Sequence, residues 1–148
     1  MKVKKLLAGF LSAAMVLGTM SFPVFAEDGG SDKYVAQIGG KSYATISEAV
    51  EDIKANPGLD NEITILSDIS LDDLAPVSSL GSVTLIGTGT QTIDFADKKQ
   101  AIGAEITFKN LIINEDNGNY NGIQHCPKQL FDNCVINGQY WSYALDTE

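Results

Sequence analysis

Tyr120, Tyr140, Trp141 and Tyr143 stand near Asn117, Asn119, Asn121 and Gln139 towards the C-terminal end of the chain. Flat rings beside amides suit a sugar-binding face, where rings stack on C–H surfaces and amides bond hydroxyls. The same rings can equally cover a loop or a neighbouring strand, since aromatic side chains are apolar surface first. His125, Cys126 and Cys134 are the other reactive candidates. Neighbours on an extended segment project to opposite faces, which separates His125 from Cys126 as a nucleophile pair. Two cysteines with one histidine are too few for a structural zinc. Cys126 and Cys134 can close a short disulfide loop in an oxidising compartment, worth ~2.5 kcal/mol in the chain-entropy account. Alternatively they remain free thiols, with Cys134 packed as a small apolar residue. The oxygen-rich run from Asn114 to Gly122 invites a calcium loop, but placing Gly118 sixth puts Ile113 first, and placing Gly122 sixth puts Lys128 twelfth. It reads as a solvated turn, and no metal or cofactor is expected.

Charge narrows the partners. The chain has 148 residues, 44% apolar and 20% charged, with a net charge of −9. All ten basic residues are lysines, three of them in the first five positions, so the chain after Ala26 sets seven lysines against nineteen acids and carries −12. Without arginine or a basic cluster it lacks the electrostatic footprint for nucleic acid or anionic lipid.

The first 26 residues read as a secretory signal: Lys2, Lys4 and Lys5, an apolar run from Leu6 to Met20, and Val24-Phe25-Ala26 before the cut. The run is shorter than the ~20 residues of a membrane span, so no span is expected after its removal. A mature product of about 122 residues, secreted or held at the extracellular surface, is implied.

Residues 27–33 form a polar linker, and 34–58 a strand and a helix. Tyr34 to Gly40 alternates briefly and ends in Gly-Gly, as a short strand would. Thr45-Ile46-Ser47-Glu48 spells a capping box, and Ile46, Ala49, Val50 and Ile53 recur at helical spacing until Asn56-Pro57-Gly58. The helix should run from about Ile46 to Ala55. It is too short to stand alone, so its stripe must rest on an apolar surface.

A repeat supplies that surface. Ile106–Asn114 and Gln129–Asn137 match at an offset of 23: Phe108 with Phe131, Asn110 with Asn133, Leu111 with Cys134, Ile113 with Ile136 and Asn114 with Asn137. The same step backwards places Leu85 beneath Phe108 and Gly87 beneath Asn110, and Ile63-Thr64-Ile65-Leu66 begins 20 before Val83. Between Thr88 and Thr92 the register loosens. A strand-rich period of this length predicts an all-β solenoid over residues 59–148. The column Gly87, Asn110, Asn133 implies left-handed bends between strands, with a possible asparagine ladder.

The lead-in "VAQIGGKSYATISEAVEDI", the strand "ITILSDISL" and the units "FKNLIIN" and "FDNCVIN" resemble the N-terminal part of a right-handed parallel β-helix of the pectate-lyase-like kind, found in secreted bacterial surface proteins. The resemblance covers roughly Val35 to Gly138 and implies that the helix caps the first turn, shielding an edge that would otherwise pair with other chains. It also implies, for the enzymes of that group, wall carboxylates holding calcium and a basic proton abstractor. An arginine base is impossible here. The step of 23 gives wall columns Ile86/Lys109/Asp132 and Asp94/Asn117/Tyr140, neither of which stacks carboxylates. No acid pair stands out for hydrolysis. No catalytic residues are therefore assigned, and the chain by itself leans away from being an enzyme. The expectation is a non-catalytic β-helix module in adhesion or glycan contact at the cell surface. The alternatives are the leading piece of a polysaccharide lyase or glycoside hydrolase whose catalytic turns follow residue 148, and a spacer whose open end docks another domain or chain.

Overall fold

The computed structural model describes residues 34–96, 98–115 and 122–138. Tyr120, Tyr140, Trp141, Tyr143, the signal segment and the linker lie outside the described residues.

Local signals build the N-terminal end. Strands β1 (Ala36–Ile38) and β2 (Lys41–Tyr43) pair antiparallel. Gly39 and Gly40 take φ of 55° and 90° between them, the positive values a two-residue hairpin turn needs. Helix α1 spans Ile46–Ala55 and buries Ile46, Ala49, Val50 and Ile53. The Glu48 amide donates to Thr45 Oγ1 at 3.1 Å, while Glu48 Oε2 accepts from the Ala44 amide, one residue before the cap. A 3-10 helix over Leu71–Ser79, which the sequence reading lacked, packs against α1 with Leu71, Leu74 and Val77 buried. Their spacing of three is that of a 3-10 face. The Ser70 amide donates to Asp73 Oδ2 at 2.8 Å at its start.

The remaining strands are β3 (Glu62–Ile65), β4 (Ile69–Ser70), β5 (Ser82–Ile86), β6 (Thr92–Asp94), β7 (Lys99–Ala101), β8 (Glu105–Lys109), β9 (Ile112–Glu115), β10 (Gly122–Gln124), β11 (Gln129–Asp132) and β12 (Val135–Gly138). The described chain is thus mostly β-strand with little helix, and its sheets are largely parallel. One sheet runs β11-β8-β5-β3-β1-β2, a second β12-β9-β6-β4, and a third pairs β10 with β7. Strands β5, β6 and β7 visit the three sheets in the same order as β8, β9 and β10, and β11 and β12 begin the cycle again.

Register is uneven. Val83 pairs with Ile106 and Phe108 with Phe131, steps of 23, but Ile63 pairs with Leu85, not Val83, a step of 22. Ile93 pairs with Ile113, a step of 20, because the turn before β6 is three residues longer than the one before β9. The expected wall column Asp94/Asn117/Tyr140 is therefore wrong: Asp94, Asn114 and Asn137 are in register. The column Ile86, Lys109, Asp132 is paired, with Thr64 beneath Ile86.

Inward positions make one core. Leu85, Phe108, Ile93, Ile113, Phe95, Ile102 and Ile123 are completely buried. Phe131 stacks on Phe108 with ring centres 5.1 Å apart and planes 8° from parallel. Ile136, in register with Ile113, is 39% exposed because no described strand lies beyond β12.

The bend column corrects one expectation. Asn110 and Asn133 each have φ of 52°, and Asn133 Nδ2 donates to Asn110 Oδ1 at 2.7 Å. Gly87 is not in the left-handed region. Its glycine is required by space, since a methyl there would stand 2.5 Å from the Asn110 carbonyl oxygen and 2.6 Å from Leu111 Cδ2.

Candidate binding groove

The outer face of the largest sheet carries what alternation leaves there. Glu62, Thr84, Thr107 and Leu130 are in register across β3, β5, β8 and β11, and Ser82 lies beside Glu105. Glu62, Ser82, Thr84, Glu105 and Thr107, with Asp60 and Lys128 at the strand entrances, line an open groove of about 470 Å³. Hydrogen bonds hold its floor: the Thr84 amide donates to Asn61 O at 2.8 Å, the Asn61 side-chain Nδ2 to Ser82 O at 2.9 Å, and the Ile106 amide to Lys128 O at 2.9 Å. Glu62 and Glu105 sit on strands separated by β5, roughly 10 Å apart across the sheet. Among the described residues no three His, Cys, Asp or Glu side chains converge on a metal position. The groove offers hydroxyls that donate and accept, carboxylates that accept, and one ammonium that donates.

Sequence reasoning missed this groove. The signal is present as Ser82-x-Thr84 and Glu105-x-Thr107 at an offset of 23, but these are ordinary surface residue types that mark no chemistry by themselves.

The cysteines are both free. Cys126 is buried, with Sγ 3.0 Å from Ala104 O and 3.1 Å from Lys128 O, and burial raises its pKa, which disfavours the reactive thiolate. Cys134 is half-buried against the core. His125 is exposed with φ of 57°, so it leaves Cys126 by a left-handed bend and not by strand alternation.

At the N-terminal end Asp52 collects three donors: Tyr43 Oη at 2.6 Å, Lys41 Nζ at 2.9 Å and Asn56 Nδ2 at 2.8 Å. The Tyr43 hydroxyl first, and Lys41 after it, hold the Asp52 carboxyl below its usual range. Burial, followed by that carboxylate, pushes Tyr43 up to about 12. The cluster ties the hairpin to α1.

Glu115 is the opposite case. It is 1% exposed, neither carboxylate oxygen has a hydrogen-bond partner among the described residues, and burial pushes its pKa up to about 7. On the outer face of the same sheet Asn137 Nδ2 donates to Asn114 Oδ1 at 2.9 Å, beside Asp94, along a shallow cleft of about 360 Å³. No helix among the described residues is long and apolar enough to cross a membrane.

The chain matches no protein-family profile, no curated protein and no solved structure.

Proposed function

We propose that the three largely parallel sheets are the walls of a right-handed β-helix, and that the chain is a non-catalytic module of a secreted or cell-surface protein that contacts carbohydrate along its outer wall. The winding is supported by the repeated order in which successive strands enter the three sheets and by register steps of 20 to 24. The functional reading rests on one observation: the groove over β3, β5 and β8 presents Glu62, Thr84, Thr107, Ser82 and Glu105 in rows on a rigid sheet. Parallel strands repeat at about 4.8 Å, so each row offers hydroxyls and carboxylates at regular intervals to a polyol chain lying across it. Its acidic lining favours neutral glycans over polyanionic ones.

Affinity electrophoresis of the exported chain through gels containing neutral and acidic polysaccharides tests this. Retardation by a neutral polysaccharide, weakened at least about tenfold by the pair Thr84→Ala and Thr107→Ala, is expected for loss of two polar contacts. Unretarded migration in every gel, or retardation unchanged in the double variant, would overturn the groove assignment.

A further inference from the structure

Alternation places Glu115 on the same face of β9 as Ile113, which is completely buried. An acidic residue at a core position normally finds donors, because an isolated buried carboxylate is costly. Here the register supplies no donor among the described residues. The residue of β12 opposite Glu115 is Gly138, with φ of 98°, and a methyl there would collide with the Glu115 carbonyl oxygen. On the other side the chain following β6 brings Phe95, completely buried, whose amide donates to Asn114 O at 2.9 Å. The described ionisable groups on the neighbouring elements reach solvent. Asp94 on β6 is exposed and accepts from the Ala96 amide, and β12 has none. Lys98, Lys99 and His125, flanking the third sheet, are solvent-accessible, and Lys98 pairs with Asp72.

We propose that Glu115 is a proton-controlled latch on the last strand layer: protonated, it lets β9 and β12 stay paired over a dry core, and ionised, it loosens them. The neutral acid needs one acceptor at most, whereas the carboxylate must be solvated, and because Glu115 borders the cleft it shares with Asn137 and Gly138, parting β12 from β9 there admits water to it. The sign follows from the raised pKa. Between about 4.5 and about 7 the folded layer holds a proton that the open layer releases, so stability is greatest below this window and falls as pH rises through it. Above it no further loss occurs.

Hydrogen–deuterium exchange of the full chain, corrected for intrinsic rates, tests this at pH 4 and pH 8. The opening constant of peptides covering 112–115 and 135–138 should rise about 100-fold, while peptides from α1 do not follow it. In Glu115→Gln the rise should disappear. Should that variant fail to fold, carbon-13 NMR of the Glu115 carboxyl in the unaltered chain decides instead. A midpoint near 7 supports the latch. A midpoint at or below 4.5, or equal pH dependence in wild type and Glu115→Gln, would overturn it.

Discussion

The two ends of the described structure carry the same kind of strand layer and differ in what covers it. At the N-terminal end β1 and β2 turn antiparallel beside β3, α1 packs against the 3-10 helix and buries Ile46, Val50 and Ile53, and a carboxylate, Asp52, sits among three donors. At the C-terminal end Leu130, Val135 and Ile136 are exposed, and the carboxylate, Glu115, is buried without a described partner. A repeat therefore does not confer equal stability on its copies. Each layer draws burial from its neighbours, and a layer with one described neighbour holds less of it.

Substitutions along one column sharpen that difference. Phe108→Ala should cost about 3–5 kcal/mol in urea unfolding, because the ring is fully enclosed between Leu85 and Phe131. Phe131→Ala, at a half-buried site, should cost about half as much if the C-terminal layer is the weaker one. Equal losses would erase the contrast. Next in size is Gly87→Ala, expected to cost about 1–3 kcal/mol because the backbone of Asn110 and the side chain of Leu111 must give way. The same change at Gly58, which has open space around it and an ordinary φ, should be close to neutral. Thr45→Ala removes the N-cap acceptor of α1 and should cost about 1 kcal/mol, measured as a lower melting temperature.

The pH response is the most diagnostic, because the ends should answer in opposite directions. Asp52 has a lowered pKa, so its contribution is present above the ordinary carboxylate pKa and fades as pH falls through the lowered value. Glu115 has a raised pKa, so the C-terminal layer is firmest in acid and loosens towards pH 7. Tyr43→Phe should shrink the acid response of α1 amides in hydrogen exchange and leave that of β12 unchanged. A single pH response shared by both ends would show that they open together.

Much of the strand content was legible because it is local. Thr45-x-x-Glu48 and the Ile46/Val50/Ile53 stripe set α1 at its observed bounds, and Phe108, Asn110 and Ile113 recurring as Phe131, Asn133 and Ile136 set the pairing of β8 with β11 and β9 with β12. The 3-10 helix was overlooked because Leu71, Leu74 and Val77 follow neither the helical nor the strand period. The groove escaped because its residues are ordinary surface types, and only the alignment of three strands brings Glu62, Thr84 and Thr107 together.

What the sequence determined by itself were the features that depend on residues a few positions apart: the alternation that divides inward from outward side chains, the cap of α1, the turn at Gly39-Gly40, and the left-handed bends at Asn110 and Asn133, whose side chains tolerate positive φ. The tertiary structure alone decided the steps of 20, 22 and 24, since the length of each turn adjusts until apolar residues stack over apolar ones. It also decided that Gly87 is there for space and not for φ, and that Glu115 lies in the core. Clearance and burial depend on which strand arrives alongside, and no local signal carries that.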